Sequence, residues 1–266
     1  MASIEKDLKK FANEFYISKD STEKTKIEIS LKNIKAKLKQ DFSTDIIAIE
    51  EFGSYVRKTN LPRVYDEKSD IDLMIVFNHK RLKWNPSTYR KHLLDFTDKY
   101  FPNSISYKSA PTVVLELNHI KYDLVPAFQR DEGFFTTSMV MYIPETDTSW
   151  METDPHRFSK KLDKVNEGYD YNVKRIIRLL KAWNVKAGYP LQSYSLEREI
   201  ANMSFSGDNI ESGFFYAIDQ LSTNRYSNSA VKKIEALQSN AEKVEDALDN
   251  DDIRSAMRWL GHILPL

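Results

Sequence analysis

Two aspartates interrupt an otherwise apolar run, "DIDLMIVF", over residues 70–77. Alternate residues of a strand point to the same side, so Asp70 and Asp72 would project together, about 7 Å apart along the backbone. A third aspartate, Asp123, lies in a second apolar run, "IKYDLVPAF", over residues 120–128. Because an unpaired buried carboxylate is costly, a cation or water is expected beside these side chains.

Three carboxylates from neighbouring strands would form a site of hard oxygen ligands, which suits Mg²⁺ or Mn²⁺. Two such ions about 4 Å apart can be bridged by one set of carboxylates and can activate an attacking oxygen. The chain has no cysteine, which excludes zinc thiolate sites, disulfides and cysteine nucleophiles. An alternative explanation is that Asp70 and Asp72 are only exposed residues at a strand edge.

A Gly-Ser pair, Gly53-Ser54, follows the first predicted strand. Glycine lets the backbone approach a ligand closely, and a helix that begins near Ser54 would present N–H groups and a hydroxyl to a phosphate. Such a pair by itself has little specificity. A Gly-Ser pair at a strand end, an Asp-x-Asp strand and a later strand aspartate together indicate a site for metal and phosphate.

The elements that must position these residues follow from the apolar periodicity of the N-terminal half. A helix is predicted over residues 20–39, with Asp20 as its N-cap and one apolar stripe in the core. The stripe consists of Ile27, Leu31, Ile34 and Leu38. The other predicted elements are strands at 46–52 and 70–77, a helix at 86–99, and paired strands at 104–118 and 120–128 that turn at Asn118-His119.

The C-terminal part of the chain has a helical pattern, and Gly188 and Pro190 end its first long helical run. Residues 129–155 contain glycine and proline and are predicted to hold the domain boundary. The sequence therefore predicts an α+β domain over residues 1–150, with an N-terminal helix, and a helical domain over residues 151–266.

The composition is that of an ordinary globular protein without excess charge. The 266 residues include 39 Lys and Arg and 39 Asp and Glu, so the formal net charge is zero. A neutral chain argues against coating nucleic acid through charge alone, although a local basic groove stays possible. No apolar run is long enough to span a membrane, and the N-terminus has no secretory apolar segment. These features predict a cytoplasmic protein without a membrane partner.

The Gly53-Ser54 pair, the strand with Asp70 and Asp72, and the later Asp123 resemble the pattern of nucleotidyltransferases of the DNA polymerase β superfamily. Within that superfamily the sequence is most similar to the cGAS/DncV-like group, which includes relatives of oligoadenylate synthetase. Further segments that resemble the group are "GSYVRKT", "YDLVPAF", "RIIRLLKAWN", "QSYSLE" and the terminal "AMRWLGHILPL". The resemblance runs from about residue 50 to the end, which predicts a complete chain.

The resemblance implies a polymerase-β-like nucleotidyltransferase core, in which helices flank a mixed sheet, followed by a helical domain that completes the nucleotide site. It implies that Asp70, Asp72 and Asp123 are catalytic and hold two ions, Mg²⁺ or Mn²⁺. The residues that it assigns to nucleotide binding are Gly53, Ser54, Thr59, Lys181, Ser193 and Tyr194.

Individual roles also follow from the resemblance. Lys181 and Ser193 would contact nucleotide phosphates, and Tyr194 would stack on a base. Two simpler explanations stay open, in which Lys181 is a solvated helix lysine and Tyr194 is a core tyrosine.

The activity that the resemblance implies is the joining of nucleoside triphosphates into a cyclic di- or oligonucleotide second messenger, with release of pyrophosphate. Its setting would be bacterial anti-phage signalling, with a separate effector protein that responds to the product. One alternative is template-independent addition of nucleotides to an RNA 3′ end, and only this hypothesis requires nucleic acid as a partner. Another is an inactive nucleotide-binding scaffold. The bases, the linkage and the oligomeric state do not follow from the sequence.

Overall fold

The computed structural model describes residues 2–133, 139–224 and 226–266, and these ranges contain seven strands and eleven α-helices. The strands are β1 (Ile46–Phe52), β2 (Asp70–Phe77), β3 (Ile105–Ser109), β4 (Thr112–Glu116), β5 (Lys121–Asp131), β6 (Met139–Pro144) and β7 (Trp150–Thr153). The helices are α1 (Glu5–Glu14), α2 (Thr22–Phe42), α3 (Gly53–Arg57), α4 (His79–Leu82), α5 (Pro86–Tyr100), α6 (Pro155–Gly168), α7 (Val173–Lys186), α8 (Ser193–Ile200), α9 (Ile210–Asp219), α10 (Asn228–Asp249) and α11 (Ile253–Ile263).

The strands form one mixed sheet in the order β1-β2-β5-β4-β3, and β6 pairs with both β5 and β7. β2 and β5 run parallel, whereas the other strand pairs are antiparallel. A parallel pair needs a long crossover, which here contains α5 and the hairpin of β3 and β4. The part of β2 from Leu73 to Phe77 is fully buried, as expected for a strand covered on both faces.

The two aspartates of β2 lie on the same side of the strand as Met74 and Val76, because side chains alternate along a strand. Met74 and Val76 belong to a buried apolar cluster that also contains Ala127 and Met141. The helix α5 packs against the strands β3, β4 and β5. The aspartates therefore continue a buried apolar row, which is the physical reason why their charges are poorly solvated.

The chain divides into two compact units. The first consists of Met1–Ser18, Lys58–Glu67 and Lys161–Leu266, and the second consists of Lys19–Arg57 and Lys68–Lys160. Both units are discontinuous in sequence, and the last passage of the chain from one to the other falls within α6. The units do not coincide with the domains predicted as 1–150 and 151–266, and that domain boundary stays a prediction.

The first unit is built around α7, which contacts α1, α8 and α9. Between Val173 and Asn184 every residue except Arg175 is buried, which is expected when a helix is surrounded by other elements on most of its circumference. The buried cations of this helix have partners, as buried charges must. Arg178, for example, donates hydrogen bonds to the carbonyl oxygens of Ala12 at 2.9 Å and Lys58 at 3.0 Å.

The predicted elements are largely present, with differences that local chemistry explains. The apolar stripe of α2 is buried as predicted, but the prediction that Asp20 is the N-cap is wrong. Ser21 caps the helix instead, with extended backbone angles, and its hydroxyl accepts the N–H of Lys24 at 3.1 Å. The predicted helices of the C-terminal part are present, although a turn after Gly168 divides the first long run into α6 and α7.

One strand prediction needs correction. The predicted strand 104–118 is a hairpin, because β3 and β4 are separated at Ala110-Pro111, where proline offers no N–H to a ladder. The predicted boundary segment 129–155 contains the end of β5 and all of β6 and β7, and the boundary itself stays a prediction. Within that segment, residues 134–138 lie outside the described residues.

No helix in the described part of the chain combines the length and the apolar character that crossing a membrane requires.

Candidate functional site

The parallel pairing of β2 and β5 brings the three predicted carboxylates together. In the register of this pair, Asp72 is the partner of Asp123, and Asp70 is the partner of Lys121. Paired residues of neighbouring strands project from the same face of a sheet, so all four side chains share one face. The simpler explanation, that Asp70 and Asp72 are exposed edge residues, is wrong, because β2 has a strand on each side and neither aspartate is exposed.

Gly53 lies directly against Asp72. β1 ends opposite this aspartate, with Phe52 as its register partner, and the chain then enters α3. Gly53 has a φ of 74°, a region that favours glycine. A Cβ atom at this position would lie 1.7 Å from Oδ2 of Asp72, which no side chain permits. The glycine is therefore required both by its backbone conformation and by the closeness of the carboxylate.

The predicted Ser54 is the second residue of α3, next to this contact. At the end of α3, Arg57 is buried, and its guanidinium lies 5.2 Å from the centre of the Phe158 ring. The charge of Arg57 lowers the pKa of Asp72, although the effect is smaller than the opposing effects of burial and neighbouring carboxylates. Arg57 is therefore part of the electrostatic environment of the carboxylates.

The carboxylates disfavour one another's charge. Burial raises the pKa of Asp72 well above its usual range, and the charges of Asp70 and Asp123 raise it further. Burial, followed by the charge of Asp70, raises the pKa of Asp123 to about 6. Both effects arise because the charged form loses solvation and meets like charge. A bound cation would therefore lower the free energy of this site more than it would that of an exposed pair of acids.

Lys121 is the functional candidate that the sequence predictions missed. Its Nζ lies 3.1 Å from Oδ2 of Asp70 and 3.5 Å from Oδ1 of Asp123. Burial would lower the pKa of Lys121, but these two carboxylates outweigh burial and raise it. The alternation rule could have found this lysine, because it precedes Asp123 by two residues in the same strand.

The three carboxylates are the type of ligand that a divalent cation prefers, but they are not arranged closely enough to enclose one. Within the residues that the structure describes, no three acidic, histidine or cysteine side chains are close enough to enclose a metal ion. The donors are all carboxylate oxygens, which Mg²⁺ and Mn²⁺ prefer. In addition, the buried Oδ1 of Asp123 accepts no hydrogen bond. An oxygen without a hydrogen bond could serve as a ligand of a metal ion.

Two predicted nucleotide-binding residues meet at one carboxylate in the first unit. Thr59 Oγ1 donates to Oε1 of Glu197 at 2.9 Å, and Lys181 Nζ donates to the same oxygen at 3.1 Å. The side chains of Lys181 and Glu197 are only 6% and 1% exposed. Lys181 is therefore not a solvated helix lysine. Glu197 was not predicted as a site residue, but a lysine on an apolar helix signals that a buried acid must be nearby.

Ser193 and Tyr194 begin α8, the helix that also carries Glu197. Tyr194 is half exposed, and the guanidinium of Arg198 lies 5.8 Å from its ring centre. The explanation of Tyr194 as a core tyrosine is therefore wrong. In the structure, Asp70, Asp72, Asp123, Gly53 and Ser54 belong to the second unit, and Thr59, Lys181, Ser193 and Tyr194 belong to the first. Their roles toward a nucleotide stay predictions.

Comparisons with known proteins define the family. Residues 1–166 match the family described as the Second Messenger Oligonucleotide or Dinucleotide Synthetase domain. Since this match covers well over half of the chain, the protein belongs to that family. A probable cyclic nucleotide synthase of Bacillus cereus (strain VD146) is 31% identical over 90 residues, which are 34% of this chain and 27% of that relative. The matched stretch thus spans about a quarter of the curated relative.

Solved structures extend the likeness to nearly the whole fold. CdnC of E. coli MS115-1, in complex with HORMA-deltaN, has a TM-score of 0.69 at 14% identity, with 97% of this chain and 96% of that chain covered. CdnG of Bradyrhizobium diazoefficiens, in complex with GTP, has a TM-score of 0.68 at 11% identity, with 98% of both chains covered. DncV of Vibrio cholerae, a cyclic AMP-GMP synthase, has a TM-score of 0.63 at 13% identity, with 82% and 68% covered.

These findings confirm two predictions. The chain is a cGAS/DncV-like protein, as the motifs around Gly53-Ser54 and Asp70-Ile71-Asp72 predicted. Its fold is the predicted polymerase-β-like core of mixed sheet and helices followed by helices.

Proposed function

We propose that this protein is a metal-dependent nucleotidyltransferase that joins nucleoside triphosphates into a cyclic di- or oligonucleotide and releases pyrophosphate. The observation that carries the proposal is the register of β2 and β5, which sets Asp72 beside Asp123 with Gly53 packed against it. The family to which the chain belongs supports the same chemistry. DncV of Vibrio cholerae, which has the same fold, is a cyclic AMP-GMP synthase.

Asp70, Asp72 and Asp123 would hold the divalent ions, for which we propose two Mg²⁺ or Mn²⁺. When bound, such ions neutralise phosphate charge and lower the pKa of an attacking sugar hydroxyl. The contribution of the chain itself is rigid placement. Two hydrogen-bonded strands fix the spacing of the carboxylates, and the missing side chain of Gly53 leaves room for Asp72.

The remaining proposed contacts bind and orient the nucleotide. The ammonium of Lys181 has three donors, so one bond to Glu197 leaves two for phosphate oxygens. Ser54 and Ser193 would donate hydroxyl hydrogen bonds in the same role. Thr59 would do so only after its single O–H leaves Glu197. Stacking of a base on the half-exposed ring of Tyr194 would add about 1–3 kcal/mol.

The biological setting is part of the proposal. We propose that the product acts in bacterial anti-phage signalling and that a separate effector protein responds to it. Structural relatives were solved with ATP or GTP, which supports nucleoside triphosphates as substrates. The cytoplasmic location stays a prediction from the sequence.

The test is a synthesis assay with purified protein. Each labelled nucleoside triphosphate is incubated singly and in all pairs with Mg²⁺ or Mn²⁺, and phosphatase-resistant products are analysed by chromatography and mass spectrometry. The Asp70→Asn/Asp72→Asn variant should lose the product, whereas Asp98→Asn, which changes an exposed aspartate of α5, should retain it. Extension of an added RNA 3′ end would instead favour RNA as the acceptor. Nucleotide binding without any product, with or without RNA, would favour an inactive scaffold.

A further inference from the structure

We propose that Lys121 is the internal counter-ion of Asp70 and Asp123, and that a divalent cation must displace its ammonium to bind. Lys121 would then set the metal affinity of the site by competing with the ion for the same carboxylate oxygens. The inference rests on the metal binding contained in the proposed function, and it goes further by assigning a role to a residue outside the predicted set.

The geometry places the ammonium among the oxygens that a metal ion would need. Lys121 Nζ is 3.1 Å from Asp70 and 3.5 Å from Asp123, so one cation contacts acids on two adjacent strands. The strand register enforces this arrangement, because Lys121 is paired with Asp70 and lies two residues before Asp123. A metal ion held by Asp70 and Asp123 would need the carboxylate oxygens that the ammonium now contacts.

The charge balance explains why a cation is needed here even without metal. Asp70, Asp72 and Asp123 lie on one face of two paired strands, and like charges at this spacing repel strongly when solvent is limited. Lys121 offsets part of this repulsion. Its side chain is 21% exposed, compared with 29% for Asp70 and 18% for Asp123, so the whole group is only partly screened by water.

The ion pair between Lys121 and the carboxylates is also weak enough for a metal ion to break it. The 3.5 Å separation from Asp123 exceeds a good hydrogen bond, and Oδ1 of that aspartate accepts no hydrogen bond. A lysine has a flexible stem of four carbons and a compact charge, so the ammonium can swing into solvent when a stronger cation arrives. A doubly charged ion gains about twice the attraction of the ammonium, which gives it the advantage over monovalent ions.

The experiment measures metal binding directly, without nucleotide and without turnover. Mn²⁺ is titrated into wild-type protein and into Lys121→Met, and free Mn²⁺ is followed by electron paramagnetic resonance. Removal of the competing charge is expected to tighten Mn²⁺ binding by about tenfold in Lys121→Met. Lys121→Gln is a second neutral variant with the same expectation, so the inference can be judged on either variant that retains the wild-type circular dichroism spectrum.

Two controls isolate the charge at this position. Lys121→Arg keeps a cation beside Asp70 and should retain the wild-type affinity. Lys108→Met removes an exposed lysine from β3, which β4 separates from β5, and should also leave the affinity unchanged. An increase in both Lys121→Met and Lys108→Met would point to general surface charge and would overturn the role of Lys121.

The outcomes separate the inference from the proposed function. If wild-type protein binds Mn²⁺ and both neutral Lys121 variants bind it equally or more weakly, Lys121 is not a competitor, and metal binding itself stands. If neither the wild-type protein nor the Lys121 variants bind Mn²⁺, the metal site and the inference both fail.

Discussion

Two clusters of charged side chains, one partly buried and one fully buried, differ in how well their charges are balanced. On the sheet, three carboxylates have two cations near them. The ammonium of Lys121 lies 3.1 Å from Asp70 and 3.5 Å from Asp123, and the charge of Arg57 acts on Asp72. Among the helices, Lys181 and Thr59 converge on a single oxygen of Glu197 at 3.1 and 2.9 Å. The first cluster has uncompensated negative charge, and the second is a closed ion pair. An unbalanced cluster is suited to bind a cation, and a balanced one holds its donors in place.

The largest expected effect is on activity at the unbalanced cluster. Asp72→Asn should lower the rate of product formation by about a thousandfold or more, because it removes an oxygen ligand between the other two acids. The same change should increase the free energy of unfolding of the metal-free protein at pH 7.5, since the raised pKa of Asp72 means that its charge opposes folding.

This opposite response of activity and stability is measured by the synthesis assay and by urea unfolding, with Asp98→Asn as the matched control. A drop in both quantities would show that Asp72 is a structural residue of the sheet, and the contrast between the clusters would fail.

In the balanced cluster, removal of the carboxylate charge is expected to decrease stability, whereas Asp72→Asn is expected to increase it. Glu197→Gln should lower the free energy of unfolding by about 4 kcal/mol, because it leaves the buried ammonium of Lys181 without a countercharge. Glu235→Gln, on the exposed face of α10, is the control and should change stability by less than about 0.5 kcal/mol. The double variant Lys181→Met/Glu197→Leu should recover much of the loss. Equal losses in the single and the double variant would contradict the ion-pair interpretation.

The contact between Gly53 and Asp72 predicts a smaller effect. Gly53→Ala should cost about 3 kcal/mol, since the new Cβ would collide with a carboxylate and the backbone would be strained. Gly188→Ala is a matched control, because its φ is 82° and nothing lies within 4 Å of the new Cβ, so only the strain of about 1 kcal/mol applies. Urea unfolding of both variants measures the difference, and equal costs would mean that the contact with Asp72 is unimportant.

The smallest expected effect is the pH dependence of Asp123. Its pKa is raised to about 6, against about 3.9 for an unfolded chain, so the folded state binds the proton more tightly. This aspartate therefore lowers the stability of metal-free protein as the pH rises from about 4 to 6, by about 2 kcal/mol after allowance for partial exposure. The slope should be shallower in Asp123→Asn, and Mg²⁺ at pH 7.5 should restore stability in wild-type protein only. Identical pH profiles for the two proteins would refute the prediction.

Local patterns predicted much of the fold and the centre of the site. The apolar runs around Asp70 and Asp123 predicted buried strands, and the stripe of α2 predicted a buried helix face. The errors arose where two local solutions compete. Asp20 and Ser21 are adjacent and both can cap a helix, and only the backbone path selects the serine. The hairpin at Ala110-Pro111 was hidden because the flanking residues continue a strand pattern.

The sequence by itself determined that this chain carries three aspartates in apolar strands and a glycine-serine pair after a strand, since these features depend only on residue type and spacing. Only the tertiary structure decided that β2 and β5 pair in parallel, with Lys121 opposite Asp70, and that Glu197 joins Thr59 to Lys181. Pairings of this kind join residues that are distant in the chain, so they leave no periodic signal in any short segment. They depend instead on the packing of the complete fold, in which each buried charge must find its partner.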